Sequence, residues 1–371
     1  MTTVKKLAKS PLVILVTLLI LIVTFVDIIE KDRDFSEAEN KYLTKFPAVS
    51  WRSIVDGSFE STYETYVADQ FFMRDTWISI KSAGETALQK IENNGIAYGR
   101  DGYLFSKFVS YDVKVLENNM NAINMFASNA GGKVHLMVVP SGYGVLTDKL
   151  PQGFPSIEQE ELISKAFSIA DGSIGQIDPL ETLRSHSGEY IWYMTDHHWT
   201  TYGAYIGYTD VCKAFNLTPV SYDSLLINSV ENFLGTSYYK CKKLGQPADS
   251  LDYADVKAVC DIGGDVKQSL YDESMLNGRD KYAMFLWNNN ARMDITSSEC
   301  SNGKNILIIK DSFANELIPF LCFNYEKITV IDPRYYAQSY TDLLSEGWDD
   351  ILILYNIETL CTNTNVVKIG F

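Results

Sequence analysis

Three runs constrain what this chain can fold into. Val134-His135-Leu136-Met137-Val138-Val139, Asn305-Ile306-Leu307-Ile308-Ile309 and Ile351-Leu352-Ile353-Leu354-Tyr355 have strand length and are apolar almost throughout. A strand wetted on one side alternates polar and apolar residues. One that does not alternate is buried on both faces, as in a parallel sheet covered by helices. Further strand candidates lie at residues 174–178, 190–194 and 327–331, and helical patterns at 116–127, 180–184, 201–215, 313–323 and 343–346. Such alternation predicts an α/β fold with a doubly wound parallel sheet in flavodoxin-like layers over residues 131–371. Residues 220–300 break the rhythm. They are polar and tyrosine-rich, and are expected to form an irregular insertion over one end of the sheet.

The N-terminal part follows a different rule. Lys5, Lys6 and Lys9 precede an apolar run at residues 12–29, interrupted by Asp27 and closed by a charged cluster. About 20 apolar residues cross a bilayer as a helix. No small-x-small cleavage site follows the run, so an uncleaved transmembrane signal anchor is expected rather than a cleaved signal peptide. The lysines then orient the N-terminus toward the cytoplasm and residues 30–371 outside it. The expected parts are a tail and anchor (1–30), a juxtamembrane arm with N-terminal helices (31–130) and the α/β domain (131–371). Within the arm, helical patterns begin at Phe59 and resume at Trp77, with Arg74 between them suited to an ion pair with Asp69 or Asp75. Gly95 to Phe105 reads as a hairpin turning at Asp101-Gly102.

A formal net charge of −15 leaves no basic surface for phosphates and excludes a nucleic-acid partner. The six cysteines match no zinc spacing. Disulfides would be permitted outside the cytoplasm, but their pairing cannot be read from sequence.

Chemistry concentrates in two places. Of four histidines, two are adjacent in Thr195-Asp196-His197-His198-Trp199-Thr200. Ionisable side chains of this kind are poor core material unless each imidazole finds a partner. In an extended stretch Asp196 and His198 leave the same face and His197 the other, which makes His198 a base oriented by Asp196. A helix or turn would weaken that reasoning. His197 has the plainer alternative of a structural hydrogen bond. Metal binding is the rival chemistry for Asp-His-His, but the i, i+4 spacing of helical ligands is missing. No metal and no cofactor are expected.

The second place is Lys310-Asp311-Ser312-Phe313-Ala314-Asn315, directly after an apolar strand and opening a helix. Open α/β sheets carry ligands at the carboxyl ends of their strands. By itself Ser312 reads as a helix N-cap. With a histidine and an aspartate available, nucleophile, base and orienting carboxylate are all present.

The histidine segment resembles the motif that names the DHHW family of bacterial envelope proteins. Agreement extends to Phe35-Ser36-Glu37 with Asn40, Asp69-Gln70-Phe71 with Arg74-Asp75, residues 99–105, Gly235-Thr236, residues 310–315 and Asp332-Pro333-Arg334-Tyr335-Tyr336. That family is more distantly similar to the SGNH-hydrolase-like O-acetyltransferases of alginate and other exopolysaccharides, whose Asp-x-His motif also precedes the serine block. The resemblance implies Ser312 as nucleophile, His198 as base and Asp196 as orienter. It further implies a membrane-anchored enzyme that takes an acetyl group from a multi-pass membrane-bound acyltransferase and passes it to an envelope polysaccharide. Hydrolysis of an acyl ester by the same groups stays open. Lys310 stands where many SGNH enzymes have glycine. Candidate oxyanion or substrate-binding groups are the Ser312 N–H, Asn315, Asn356, Asn288 and His197, while Arg334 and Tyr335 either line a glycan groove or simply pack. A non-catalytic glycan-binding or envelope-assembly protein on the same fold is the alternative.

Overall fold

The computed structural model describes residues 10–36, 41–88 and 90–370. Lys5, Lys6, Lys9 and the segment from Glu37 to Asn40 lie outside the described residues. The chain divides into two compact units, one drawn from residues 1–90 with 242–244, the other from 91–241 with 245–371.

In the smaller unit the apolar run forms a helix, Pro11–Ile29. Two short strands and the helices Trp51–Val55, Ser58–Gln70 and Arg74–Ala87 follow. Phe46 meets Tyr63 and Tyr66 edge-on. Arg74 lies 3.9 Å from Asp75 and donates to the Ala68 carbonyl. Among the described residues no helix is long and apolar enough to cross a membrane, which corrects the expected transmembrane span at residues 12–29. The physical reason is length. Nineteen residues rise about 28 Å, and Asp27 in the last turn accepts the Phe72 N–H at 2.9 Å. The apolar part therefore ends before a hydrocarbon layer of about 30 Å is crossed.

The larger unit is built on an eight-stranded sheet. Its strands in chain order are β1 (Val134–Val139), β2 (Gly175–Ile177), β3 (Ala258–Ile262), β4 (Asp265–Lys267), β5 (Arg292–Ser297), β6 (Asn305–Lys310), β7 (Lys327–Ile331) and β8 (Asp350–Asn356). The spatial order is β4-β3-β5-β7-β6-β8-β1-β2. The five strands from β7 to β2 are mutually parallel, as the unbroken apolar runs require. The other three run antiparallel, so the sheet is mixed and not wholly parallel. These three come from the stretch expected to be irregular. In β5, Met293, Ile295 and Ser297 are buried while alternate residues are not, a period-two pattern whose polar half hides the strand. A hairpin of Ile227–Phe233 with Asp249–Ala254 orders the rest of that stretch. The hairpin expected near Asp101-Gly102 forms from Ile96–Tyr98 and Leu104–Ser106.

The helices that cover this sheet are α1 (Val113–Asn129), α2 (Gln159–Ile169), α3 (Thr201–Ala214), α4 (Ala314–Leu321), α5 (Tyr340–Ser345) and α6 (Ile357–Thr362). Helix α3 starts at Thr200, whose hydroxyl accepts the Gly203 N–H. A Cβ at Gly203 would lie 2.1 Å from the Ile191 carbonyl oxygen, so only glycine lets α3 approach that loop. Helix α4 packs on α3, whereas α5 and α6 pack on α1. Right-handed crossovers explain this. The chain leaves β6 through α4 toward β7 on one side, then returns from β7 through α5 to β8 on the other, and the two connections must lie on opposite faces. A crevice opens where they diverge, at the carboxyl ends of β6 and β8. Residues 190–194 form no ladder strand; Trp192 makes only an isolated bridge to Trp199. Among the described residues no disulfide is formed.

Candidate active site

Ser312 sits in that crevice, in the turn between β6 and α4. Asp311 holds the turn. Its buried carboxylate accepts the Phe313 N–H at 3.0 Å and the Asn356 N–H at 2.8 Å, tying the end of β6 to the end of β8. Burial pushes the Asp311 carboxyl above its ordinary range, against those two N–H groups.

The histidine segment reaches Ser312 as a fastened loop. Asp249 is the fastening: its carboxylate accepts the Met194 and Thr195 N–H groups, each at 2.8 Å, together with the Tyr190 and Thr195 hydroxyls. Asp196 follows, with Oδ1 accepting the His198 N–H at 3.1 Å. This side-chain-to-backbone turn brings residues 196 and 198 together, so the expected extended geometry is corrected while the pairing is present. Asp196 Oδ2 accepts the Thr236 N–H at 2.7 Å and its hydroxyl at 3.0 Å.

His198 Nδ1 lies 2.7 Å from Asp196 Oδ1, and His198 Nε2 lies 2.8 Å from Ser312 Oγ. Burial disfavours a charge on Asp196, but His197, His198 and Thr236 outweigh it and hold the carboxyl well below the usual carboxylate range. A charged acceptor at Nδ1 fixes the proton there and leaves Nε2 to accept from Ser312. The imidazole plane is set by Tyr282, stacked at 3.9 Å and 4°. The Tyr282 hydroxyl donates to the Ser312 carbonyl at 2.9 Å. Such a relay can take a proton from an attacking alcohol and return it to a leaving group.

The remaining candidates separate. His197, with a side chain 44% exposed, lies 2.8 Å from the Thr236 hydroxyl, and its ring is 3.8 Å from that of His198. Asn315 is buried, its carbonyl taken by Lys310 Nζ at 2.7 Å. Asn356 spends its amide on the Val139 carbonyl and Ser141 Oγ. Asn288 is exposed at φ 70°. Arg334 is clamped on Asp332, with Tyr335 exposed beside it. Asp196, His197 and His198 bring donor atoms within 4.8 Å of one another, the set that could hold a metal. Two of those groups are already bonded to each other.

Sequence reasoning did not single out Asp249, Thr236 or Tyr282 for these roles. Gly235-Thr236 carried a signal only as part of the resemblance, and one tyrosine among 23 carries none. Next to Asp196 and His197 lies a cleft of about 210 Å³, lined also by Ser141, Trp192, Phe313 and Glu358.

A family model described as DHHW protein matches residues 95–331, more than half the chain. Curated proteins give no match. Among solved structures, a DHHW family protein from Eubacterium siraeum is similar with a TM-score of 0.67 at 22% identity, covering 75% of this chain and 96% of that one. Bacillus cereus PatB1 with a sulfonyl adduct gives 0.61 at 19% identity over 74% and 98% of the two chains. A second structure of PatB1 gives 0.59 at 19% over 71% and 97%. At these identities the likeness is one of fold.

Proposed function

The chain belongs to the DHHW protein family, and from that premise we propose that it is a serine-dependent O-acetyltransferase acting on hydroxyls of a cell-envelope polysaccharide. One observation carries the reading: Asp196, His198 and Ser312 form an unbroken relay, with contacts of 2.7 and 2.8 Å. In this reading Ser312 Oγ attacks the acetyl carbonyl of the donor as His198 Nε2 takes the hydroxyl proton. The carbonyl–donor bond breaks and that proton passes to the leaving group, giving acetyl-Ser312. A sugar hydroxyl then attacks the same carbon, delivers its proton to His198, and Ser312 Oγ departs and recovers it. The Ser312 N–H is the donor assigned to the oxyanion. Water in place of the sugar would make the same groups an esterase. A purely glycan-binding role would leave the relay without use.

Placement belongs to the same proposal. Residues 30–371 work outside the cytoplasm, attached to the membrane surface through residues 12–29 and supplied by a membrane-bound acyltransferase. The exposed apolar side chains of Pro11–Ile29, among them Leu12, Leu15, Leu18 and Ile22, support attachment to lipid.

The test uses p-nitrophenyl acetate and a sulfonyl fluoride. Wild type should release p-nitrophenol and carry the sulfonyl group on the Ser312 peptide by mass spectrometry. Ser312→Ala, His198→Ala and Asp196→Asn should each slow release by roughly 10³-fold or more. Modification of a different residue, or wild-type rates in these variants, would sink the reading.

A further inference from the structure

The relay leaves one carboxylate in the crevice without a role. Glu358, in the first turn of α6, accepts the Ser141 hydroxyl at 2.6 Å and faces the cleft beside Asp196 and His197. Its backbone N–H donates to Asn356 Oδ1 at 2.9 Å, and the Asn356 N–H donates to Asp311. The carboxylate is thus held at a fixed place relative to the Ser312 turn. Burial raises its pKa, against Ser141 and Lys240, so a further hydrogen-bond donor would relieve it.

The cleft around it is about 210 Å³, small for a drug-sized ligand and of the scale of one sugar ring. Trp192, Tyr143 and Phe105 give it apolar walls suited to the C–H face of such a ring, and Ser106, Ser141 and Ser237 give it hydroxyls. Its charges are unequal in depth. Glu358 is half-buried, whereas Lys240, which also lines the cleft, is exposed. A carboxylate accepts from neighbouring hydroxyls and repels an anionic ring. A chain of net charge −15 adds to that repulsion.

We propose that this cleft is the acceptor subsite and that it takes a neutral, hydroxyl-bearing sugar unit, with Glu358 and Ser141 reading its hydroxyls. This deepens the acetyltransferase reading and rests on it. The bound unit presents one further hydroxyl to acetyl-Ser312. Its oxygen bonds to the acetyl carbon, its proton goes to His198 Nε2, the bond to Ser312 Oγ breaks, and Oγ takes the proton back.

The experiment gives the full chain p-nitrophenyl acetate with either a neutral chito-oligosaccharide or an oligogalacturonate. Mass spectrometry measures acetylated sugar against free acetate, with acyl-Ser312 followed in the same samples. Wild type should acetylate the neutral sugar in preference to the uronate. Glu358→Gln should lower the ratio of transfer to hydrolysis about tenfold, the scale of one hydrogen bond to a charged group. Ser141→Ala should lower it in the same direction. Preference for the uronate, transfer to neither sugar from an acylated enzyme, or a ratio indifferent to both substitutions would overturn the inference alone. Absence of acyl-Ser312 in wild type would overturn the functional reading and this inference with it.

Discussion

Lys310 shows how much a single side chain near Ser312 can be asked to hold. It is 2% exposed, with Nζ donating to Asn289 Oδ1 at 2.9 Å and Asn315 Oδ1 at 2.7 Å, and lying 3.7 Å from Asp332. Burial pushes the amine down to about 8, against the pull of Asp332. The unfolded chain holds that proton up to about 10.4. Between these values the unfolded state binds more protons, so the lysine's contribution rises with pH through the window and is unfavourable below it. Urea unfolding of wild type and Lys310→Met should therefore diverge in favour of wild type by about 3 kcal/mol from pH 7 to 10.5. A constant difference would mean that the amine titrates as it does in water. At this scale the sequence was legible where residue type carried chemistry. Asp196, His198 and Ser312 stand out as a carboxylate, an imidazole and a hydroxyl in a chain with four histidines, and they meet at 2.7 and 2.8 Å, whereas Asn315 gave no sign that Lys310 would claim its carbonyl.

At the scale of elements, the site depends on how closely the loop at residue 235 approaches the histidine segment. A Cβ on Gly235 would lie 2.3 Å from Asp196 Cβ and 2.4 Å from its Oδ2. The Gly235 N–H donates to Thr195 Oγ1 at 2.9 Å, and the next residue supplies both donors to Asp196 Oδ2. Gly235→Ala must push the carboxylate or this loop aside. The expected result is a loss of roughly 1–3 kcal/mol in stability, the usual cost of overpacking. Acylation by p-nitrophenyl acetate should also slow by roughly 10²-fold, since displacing a relay by about 1 Å has that effect. Thermal melts together with stopped-flow release measure both, and an unaltered rate would show that the loop yields freely. The strands β1, β6 and β8 were readable because burial on both faces leaves no polar interruption. Residues 190–194 look equally apolar but are buried as a loop. Asp249, more than fifty residues away in the chain, supplies hydrogen bonds that a ladder would otherwise give, and nothing local announces that partner.

For the whole molecule, parallel strands and helices were expected, and the antiparallel edge was not. Strand β5 buries only every second residue, so its composition resembles a loop's. The same accounting of burial separates the two units. The larger has a continuous core running from Tyr103 to Ile369. The smaller leaves Trp51 81%, Ile54 50% and Trp77 47% exposed and buries few side chains. Segments with little buried apolar surface open at low free energy, while a packed sheet opens only near the global cost. Brief trypsin digestion should therefore cut first at Arg52, Lys81 or Lys90, before any site in the parallel strands. The fragment carrying β6 should still take the sulfonyl label at Ser312, because every partner of the relay lies in the larger unit. Cleavage within the sheet at the same rate, or loss of labelling as the first fragment appears, would show that the relay depends on the first ninety residues.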